Sequence, residues 1–256
     1  MVPVRHTWRS GLESVGALVR RATANHLTVM TRAELELFVE LWYHDFTVLG
    51  LPTPQRRGIF PANQAAKQQP LFRMVDEALQ TVRQRALDPT VLELFCADGF
   101  YATYAAQHSA TRAVGIDKDP REIDKAGLAA RLLGVRNVDF RVGDVLTSAD
   151  RAAIGICAGG LYHLSDPAAL LAKLRDQISQ VLVIQTVFYS GRSEPDYFET
   201  PAPGLTWGSR FSWSYLLDMT AQSGWQVVRS ERNELTGNDR PEDRGSAYLL
   251  CVPAPR

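Results

Sequence analysis

The spacing of hydrophobic and polar positions changes near residue 88 of the chain. Before that point, apolar residues recur three and four apart, as in Leu35, Phe38, Leu41 and Trp42, which is typical of helices that bury one face. The stretch between residues 50 and 70 contains several prolines and glycines and predicts a connecting loop. The pattern predicts helices over roughly 9–25, 31–45 and 70–87.

From about residue 91 onward, short β-branched runs alternate with helical segments, which predicts a parallel sheet with crossover helices. The last two strands are joined by the polar loop TGNDRPEDRG and are expected to form an antiparallel hairpin. The fold class is therefore α/β, with an N-terminal helical appendage. Strands are predicted over roughly 91–95, 112–117, 137–142, 153–158, 180–187, 225–232 and 246–252, and helices over 99–108, 120–133, 166–177 and 212–223.

Composition narrows the class of protein and of partner. The chain has 256 residues, 45% of them hydrophobic, which excludes disordered and fibrous classes. Its 28 basic and 28 acidic residues balance, so the basic surplus typical of nucleic-acid binders is missing and a small-molecule partner is favoured. Three separated cysteines predict reduced core thiols. We expect neither a signal peptide nor a membrane span, and hence a cytoplasmic protein.

Three predicted strands end in residues suited to binding a nucleotide. The segment VLELFCADGF runs from a strand through a tight turn into a helix, so backbone amides can face a ligand there. Asp117 ends the second strand, where a carboxylate can accept from ribose hydroxyls. Asp144 and Val145 end another strand, where a carboxylate and an amide can contact adenine. Taken singly, each of these three motifs is explained equally well by a structural role and by ligand binding.

Together with the fourth-strand segment AIGICAGGLYHLSDPAALLAKL, these motifs resemble the class I S-adenosylmethionine-dependent methyltransferases over roughly residues 88–252. The resemblance implies a Rossmann-like, seven-stranded methyltransferase sheet, with the N-terminal 88 residues as a lid or dimerisation region and residues 89–256 as the catalytic domain. It also implies S-adenosylmethionine as cofactor. The cofactor-binding residues that it implies are Glu93, Phe95, Ala97, Gly99, Asp117, Lys118, Asp144, Val145, Ala158 and Gly159.

The chain departs from the family pattern at two positions of the first turn. Phe95 and Ala97 stand where relatives have glycine, and only Gly99 remains. Side chains therefore replace bare backbone beside the methionine end of the cofactor. Phe95 is expected to point away from the ligand. The missing glycines also argue against a dinucleotide cofactor.

The segment GGLYHLSDP is similar to tRNA uridine carboxymethyltransferases and their relatives. By that resemblance, Tyr162 and His163 face the reacting centre. A histidine suits proton removal at neutral pH because its pKa is about 6.5 when unperturbed, so His163 is the predicted base and Tyr162 shapes the methyl site. In the alternative reading, Tyr162 caps the pocket and His163 only supports the loop. The Ser165-Asp166-Pro167 run predicts a helix start.

Substrate contacts are expected from two regions near the carboxyl edge of the sheet. One is the appendage, through Tyr43 and His44, with Trp42 better explained as core. The other is the long segment after the fifth strand, which exceeds the usual length of such connections. Its aromatic and cationic side chains offer stacking and anion binding. The candidates there are Tyr189, Tyr197, Trp207, Ser209 and Arg210, with Asn238, Arg240 and Arg244 from the final hairpin loop.

Three functions are consistent with these features. The first is a methyltransferase acting on an oxygen or nitrogen of a small molecule. The second is a tRNA-modifying methyl- or carboxymethyltransferase, which would need a basic face for RNA. The third is a catalytically silent subunit. Phe95 and Ala97 favour this alternative, because they stand where relatives have glycine. The sequence shows no spacing of residues typical of metal ligands. A homodimer is consistent with the sequence.

Overall fold

The computed structural model describes residues 30–255, which contain a seven-stranded sheet with helices on its faces. The predicted α/β fold is confirmed. The helices are α1 (Arg32–Phe38), α2 (Ile59–Gln84), α3 (Phe100–Gln107), α4 (Pro120–Leu132), α5 (Pro167–Gln177) and α6 (Trp213–Gln222). The strands are β1 (Thr90–Leu94), β2 (Arg112–Asp117), β3 (Val138–Val142), β4 (Ala152–Ala158), β5 (Ile178–Phe188), β6 (Phe198–Glu199), β7 (Arg210–Phe211), β8 (Trp225–Glu234) and β9 (Gly245–Pro253).

The large sheet has the strand order β3-β2-β1-β4-β5-β9-β8. Strands β1 to β5 pair in parallel, whereas β9 pairs antiparallel with both β5 and β8. The terminal hairpin predicted from the sequence is therefore present. Because the order reverses between β1 and β4, their carboxyl ends open onto a crevice where ligands of such sheets bind.

The helix starts that the sequence predicts are visible as caps. Asp166 accepts from the amide of Ala169, and Pro167 occupies the first helical position of α5. Ser212 caps α6 by accepting from the amide of Tyr215. Such side-chain acceptors satisfy amides that have no partner inside the helix.

The prediction of a loop up to residue 70 was wrong, because α2 begins at Ile59 and continues through Pro70. A proline lacks the N–H that would bond the carbonyl four residues earlier, here that of Ala66. In the structure the Ala66 carbonyl accepts instead from Asn233 Nδ2 at 2.8 Å and from the Tyr248 hydroxyl at 3.4 Å. Strands β8 and β9 thus supply the missing bonds, which local sequence rules do not reveal.

The helix predicted over 31–45 ends early, at Phe38. Beyond it the chain turns, and Trp42 forms an isolated β-bridge in which its backbone pairs with Pro54 and Arg56. The Trp42 side chain is fully buried and donates to the Phe38 carbonyl, as the core interpretation predicted. The helix predicted over 9–25 lies outside the described residues.

Helix α2 shares its core with the sheet. Leu71, Met74 and Val75 are buried in one cluster with Ile154 of β4 and Tyr248 of β9. The second face of the sheet is covered by α5 and α6 in a separate cluster. Cys96, Cys157 and Cys251 are buried free thiols, as predicted. Within residues 30–255, no helix combines the length and the apolar character needed to cross a bilayer.

Candidate active site

The turn after β1 follows a path that normally requires glycine. Phe95, Ala97 and Gly99 have φ angles of +58°, +46° and +76°, all in the left-handed region that favours glycine. The two substituted positions therefore keep the backbone conformation of a glycine-rich turn, at a cost of about 1–2 kcal/mol each. At Gly99 no side chain fits, because an added Cβ would lie 2.3 Å from the Phe140 ring.

Two carboxylates hold this turn in place. Glu93 is buried, and its Oε2 accepts from the amide of Ala102 at the start of α3 at 2.7 Å. Burial raises the pKa of Glu93 well above its usual range. Asp117 accepts from the amides of Ala97 and Asp119 at 2.9 and 3.0 Å. Since a carboxylate has about four acceptor positions, Asp117 can still accept two further hydrogen bonds.

The remaining predicted cofactor residues lie along the same edge. Asp144 follows β3, and its Oδ1 accepts from the amide of Leu146 at 2.8 Å. Val145 is buried. Lys118 is exposed directly after β2, and Ala158 ends β4.

Phe95 packs its ring against the loop after β4. The ring lies so close that a Cβ on Gly160 would be 2.0 Å from it. The ring also contacts the core cluster beneath α5. Gly160 is therefore what allows the large side chain of Phe95 at this position of the turn.

A cavity of about 330 Å³ opens beside the carboxyl ends of β4 and β5. Its walls come from residues near Tyr43, one face of α2, the loop after β4 and the loops before β7 and β9. Both halves of the chain therefore build it. Eight predicted site residues line it, namely Tyr43, His44, Gly159, Tyr162, Trp207, Arg210, Asn238 and Arg240.

His44 is fixed by Asp98, a residue of the β1 turn. Asp98 Oδ1 lies 2.6 Å from His44 Nδ1, and Asp98 Oδ2 accepts from the His44 amide at 2.7 Å. Both side chains are buried, and the imidazole stacks on Phe100 with ring centroids 4.8 Å apart. Because a carboxylate only accepts, Nδ1 carries the hydrogen. In the tautomer with that hydrogen on Nδ1, the other ring nitrogen, Nε2, can accept a proton, and His44 lines the cavity.

Tyr162 and Arg210 form a second fixed group. Arg210 is buried and makes a two-point ion pair with Asp243, at 2.7 and 3.2 Å. Its guanidinium lies 5.5 Å from the centre of the Tyr162 ring. Burial raises the pKa of Tyr162, so its phenol stays neutral. Since Asp243 already balances Arg210, this arginine positions Tyr162 more readily than it binds an anion.

His163 and Tyr189 are not among the cavity-lining residues. The His163 ring keeps exposed surface and stacks on Trp207, with ring centroids 5.1 Å apart and planes 14° from parallel. Partial burial and the charges of Arg210 and Lys118 lower the pKa of His163 to about 4. It is neutral at pH 7 but a weak base. The Tyr189 ring packs against Tyr197.

Several residues of the site escaped sequence reasoning, among them Asp98, Lys67 and Gln185. Asp98 appeared to be only part of the turn, since nothing local indicates its contact with a residue 54 positions earlier. Lys67 lies on the stretch predicted as a loop, so its place on a cavity-lining helix face was hidden. Gln185 is buried in β5 with its Oε1 unpaired among the described residues. Its polar side chain within an otherwise apolar strand is the feature of the sequence that could have identified Gln185.

Comparison with known proteins found a match for part of the chain. Residues 88–194 match a family model described as a methyltransferase domain. This stretch, less than half of the chain, is similar to methyltransferase domains, and the similarity supports an enzyme. S-adenosylmethionine is accordingly the cofactor that the match to this methyltransferase domain supports.

Solved structures share the fold of the methyltransferase domain. The N-terminal domain of EvdMO1 with SAH bound has a TM-score of 0.60 at 22% identity, covering 88% of this chain and 95% of that one. The magnesium protoporphyrin IX methyltransferase ChlM from Synechocystis PCC 6803, with bound SAH, has a TM-score of 0.56 at 15% identity, covering 78% and 89%.

A protein named for a different reaction also shares the fold. The [4+2]-cyclase SpnF has a TM-score of 0.56 at 16% identity, covering 94% of this chain and 92% of that one. A shared fold therefore does not determine the reaction, which has to be inferred from the residues of the site. No curated protein sequence matched the chain. Among the residues described, no group of His, Cys, Asp and Glu side chains is placed to hold a metal ion.

Proposed function

We propose that the protein transfers a methyl group from S-adenosylmethionine to an oxygen or nitrogen of a small molecule bound in the cavity. The observation that carries the proposal is the Asp98–His44 pair. It joins the β1 turn, where the cofactor is expected, to the wall of the cavity. A proton acceptor thus stands between a donor site and an acceptor site.

The residues of the turn and of the strand ends suit the cofactor. Phe95 and Ala97 hold the glycine-type backbone path, and Asp117 retains acceptor positions for ribose hydroxyls. When bound, S-adenosylmethionine supplies a methyl group on a positively charged sulfur. Gly159, at the end of β4, lines the cavity, and its lack of a side chain leaves room for the two ligands to meet.

The base has to take the proton that the acceptor loses. The new bond joins the methyl carbon to the acceptor oxygen or nitrogen, and the sulfur keeps the electron pair of the broken bond. The acceptor proton passes to His44 Nε2, and Asp98 stabilises the resulting imidazolium. His163, the base predicted from sequence, remains the alternative, acting from the crevice beside Trp207.

The appendage contributes directly to substrate binding in this proposal. Tyr43, His44 and one face of α2 form cavity walls, which is the role expected of a lid. Dimerisation through the same region stays an independent hypothesis, as does a cytoplasmic location. The tRNA-modifying alternative requires a basic face, and the equal numbers of basic and acidic residues favour a small acceptor.

The experiment is a screen for S-adenosylhomocysteine release with a library of small hydroxyl and amine compounds. Acceptors found in it are then tested with His44→Gln and His163→Gln. We expect the His44 variant to lose about 10²–10⁴ of the rate, with cofactor binding retained. A greater loss in the His163 variant would assign the base to the other histidine. Cofactor binding without turnover of any compound would favour the silent subunit.

A further inference from the structure

Lys67 is a cation of the cavity wall without an acidic partner among the described residues. It lies on α2 one turn after Asn63, lines the cavity and is partly buried. No ion pair or hydrogen bond joins its Nζ to the side chains described here. Burial lowers the pKa of Lys67 to about 8, so it is still mostly protonated at pH 7.

The other cations of the cavity wall already have partners. Arg210 pairs with Asp243, and Arg240 lies within 3.3 Å of Glu242 and 3.5 Å of Asp243. Asp239 also lines the cavity, but it is exposed at the rim, where water solvates its charge. Among the described cations that line the cavity, Lys67 is therefore the one whose charge a ligand can neutralise.

The remainder of the wall is suited to a flat apolar body. Tyr43, Phe60, Tyr162 and Trp207 contribute aromatic surface, and the volume of about 330 Å³ is at the small end for ligand pockets. A single lysine balances a carboxylate better than a doubly charged phosphate. An aromatic or conjugated acid meets both requirements.

We propose that the acceptor is a small carboxylic acid whose carboxylate pairs with Lys67 while its hydroxyl or amine faces His44. This rests on the proposed function and adds the chemical class of the substrate. The carboxylate is an anchor in this proposal, and methyl transfer occurs at another atom of the same molecule.

The test compares acids with their neutral amides. The protein is loaded with S-adenosylhomocysteine and titrated with pairs such as para-hydroxybenzoate and para-hydroxybenzamide, by calorimetry. With only four lysines in the chain, the Lys67 amine can also be followed by NMR after isotopic methylation. We expect the acid to bind at least about tenfold more tightly than the amide, and the Lys67 signal to shift with the acid.

Two variants distinguish a specific contact with Lys67 from the general effect of removing a positive charge from the protein. Lys67→Met should abolish the preference for acids. Arg73→Met, which removes a cation from the exposed side of the same helix, should keep it.

Three results would overturn the proposal: equal binding of acid and amide, a preference that survives in Lys67→Met, or no binding by any acid of the panel. A methyl ester as product would also overturn it. Binding of S-adenosylhomocysteine is measured first and reports separately on the proposed function.

Discussion

Replacing Asp98 by asparagine tests how the site makes His44 a base. The wild-type carboxylate accepts twice from one residue, from the His44 amide and from Nδ1. An asparagine has only one oxygen for these two positions. If that oxygen keeps the His44 amide, the NH₂ group faces Nδ1 and donates to it. The ring hydrogen then moves to Nε2, which can no longer accept a proton.

The opposite orientation of the new amide is also unfavourable. Its NH₂ group would face the N–H of His44, leaving two buried donors in contact, at a cost of about 1–3 kcal/mol. We therefore expect the wrong ring tautomer in Asp98→Asn. The rate should fall by about 10²–10⁴, equivalent to about 3–5 kcal/mol of transition-state stabilisation.

Two assays check this prediction. Nitrogen NMR of the histidine rings reports the tautomer without any substrate, and single-turnover kinetics with an acceptor from the screen reports the rate. Asp45→Asn is the matched control, because the Asp45 carboxylate accepts only from Thr47 and Thr53 among the described residues and Asp45 does not line the cavity. Retention of the rate within about twofold in Asp98→Asn, or a hydrogen on Nε2 alone in the wild type, would refute the reasoning.

Three further predictions concern stability and are measured by urea unfolding. Gly99→Ala should cost about 2–4 kcal/mol, because its Cβ would overlap the Phe140 ring at a left-handed φ; an unchanged midpoint would contradict the close packing. Lys67→Met should stabilise the ligand-free protein at pH 7 by about 1–2 kcal/mol. Since the folded-state pKa of Lys67 is lowered to about 8, the wild type gains stability as pH rises from there towards 10.5. The difference in free energy of unfolding between Lys67→Met and the wild type should therefore narrow over that range. A difference that stays constant with pH would argue against the buried charge. Asn233→Ala should cost about 1–2 kcal/mol by removing a donor to the carbonyl that Pro70 leaves free, and less in a Pro70→Ala background; equal losses in both backgrounds would contradict that role.

The parallel sheet was predictable because each of its strands and crossover helices has its own local pattern. The turn after β1 and the acid Asp117 could be placed by their position at strand ends. Helix α2 could not be predicted through Pro70, because the compensating donors come from β8 and β9, far along the chain.

The candidate site was predictable only in part for the same reason. Tyr43 and His44 were predicted from the appendage, Trp207 from the long segment after the fifth strand and Tyr162 from the family resemblance, and all four line one cavity. Which histidine faces that cavity depends on the contact between His44 and Asp98. No periodicity or spacing records such a tertiary contact.

The most direct test of the account is calorimetric titration with S-adenosylmethionine and S-adenosylhomocysteine. We predict micromolar binding of the wild type, about −8 kcal/mol. Asp117→Ala should weaken it at least about tenfold, because the ribose loses its acceptor, whereas Asp124→Ala, an exposed acid of α4, should not. Absence of binding, or equal binding by all three proteins, would contradict the central claim that the edge formed by β1 and β2 holds the cofactor.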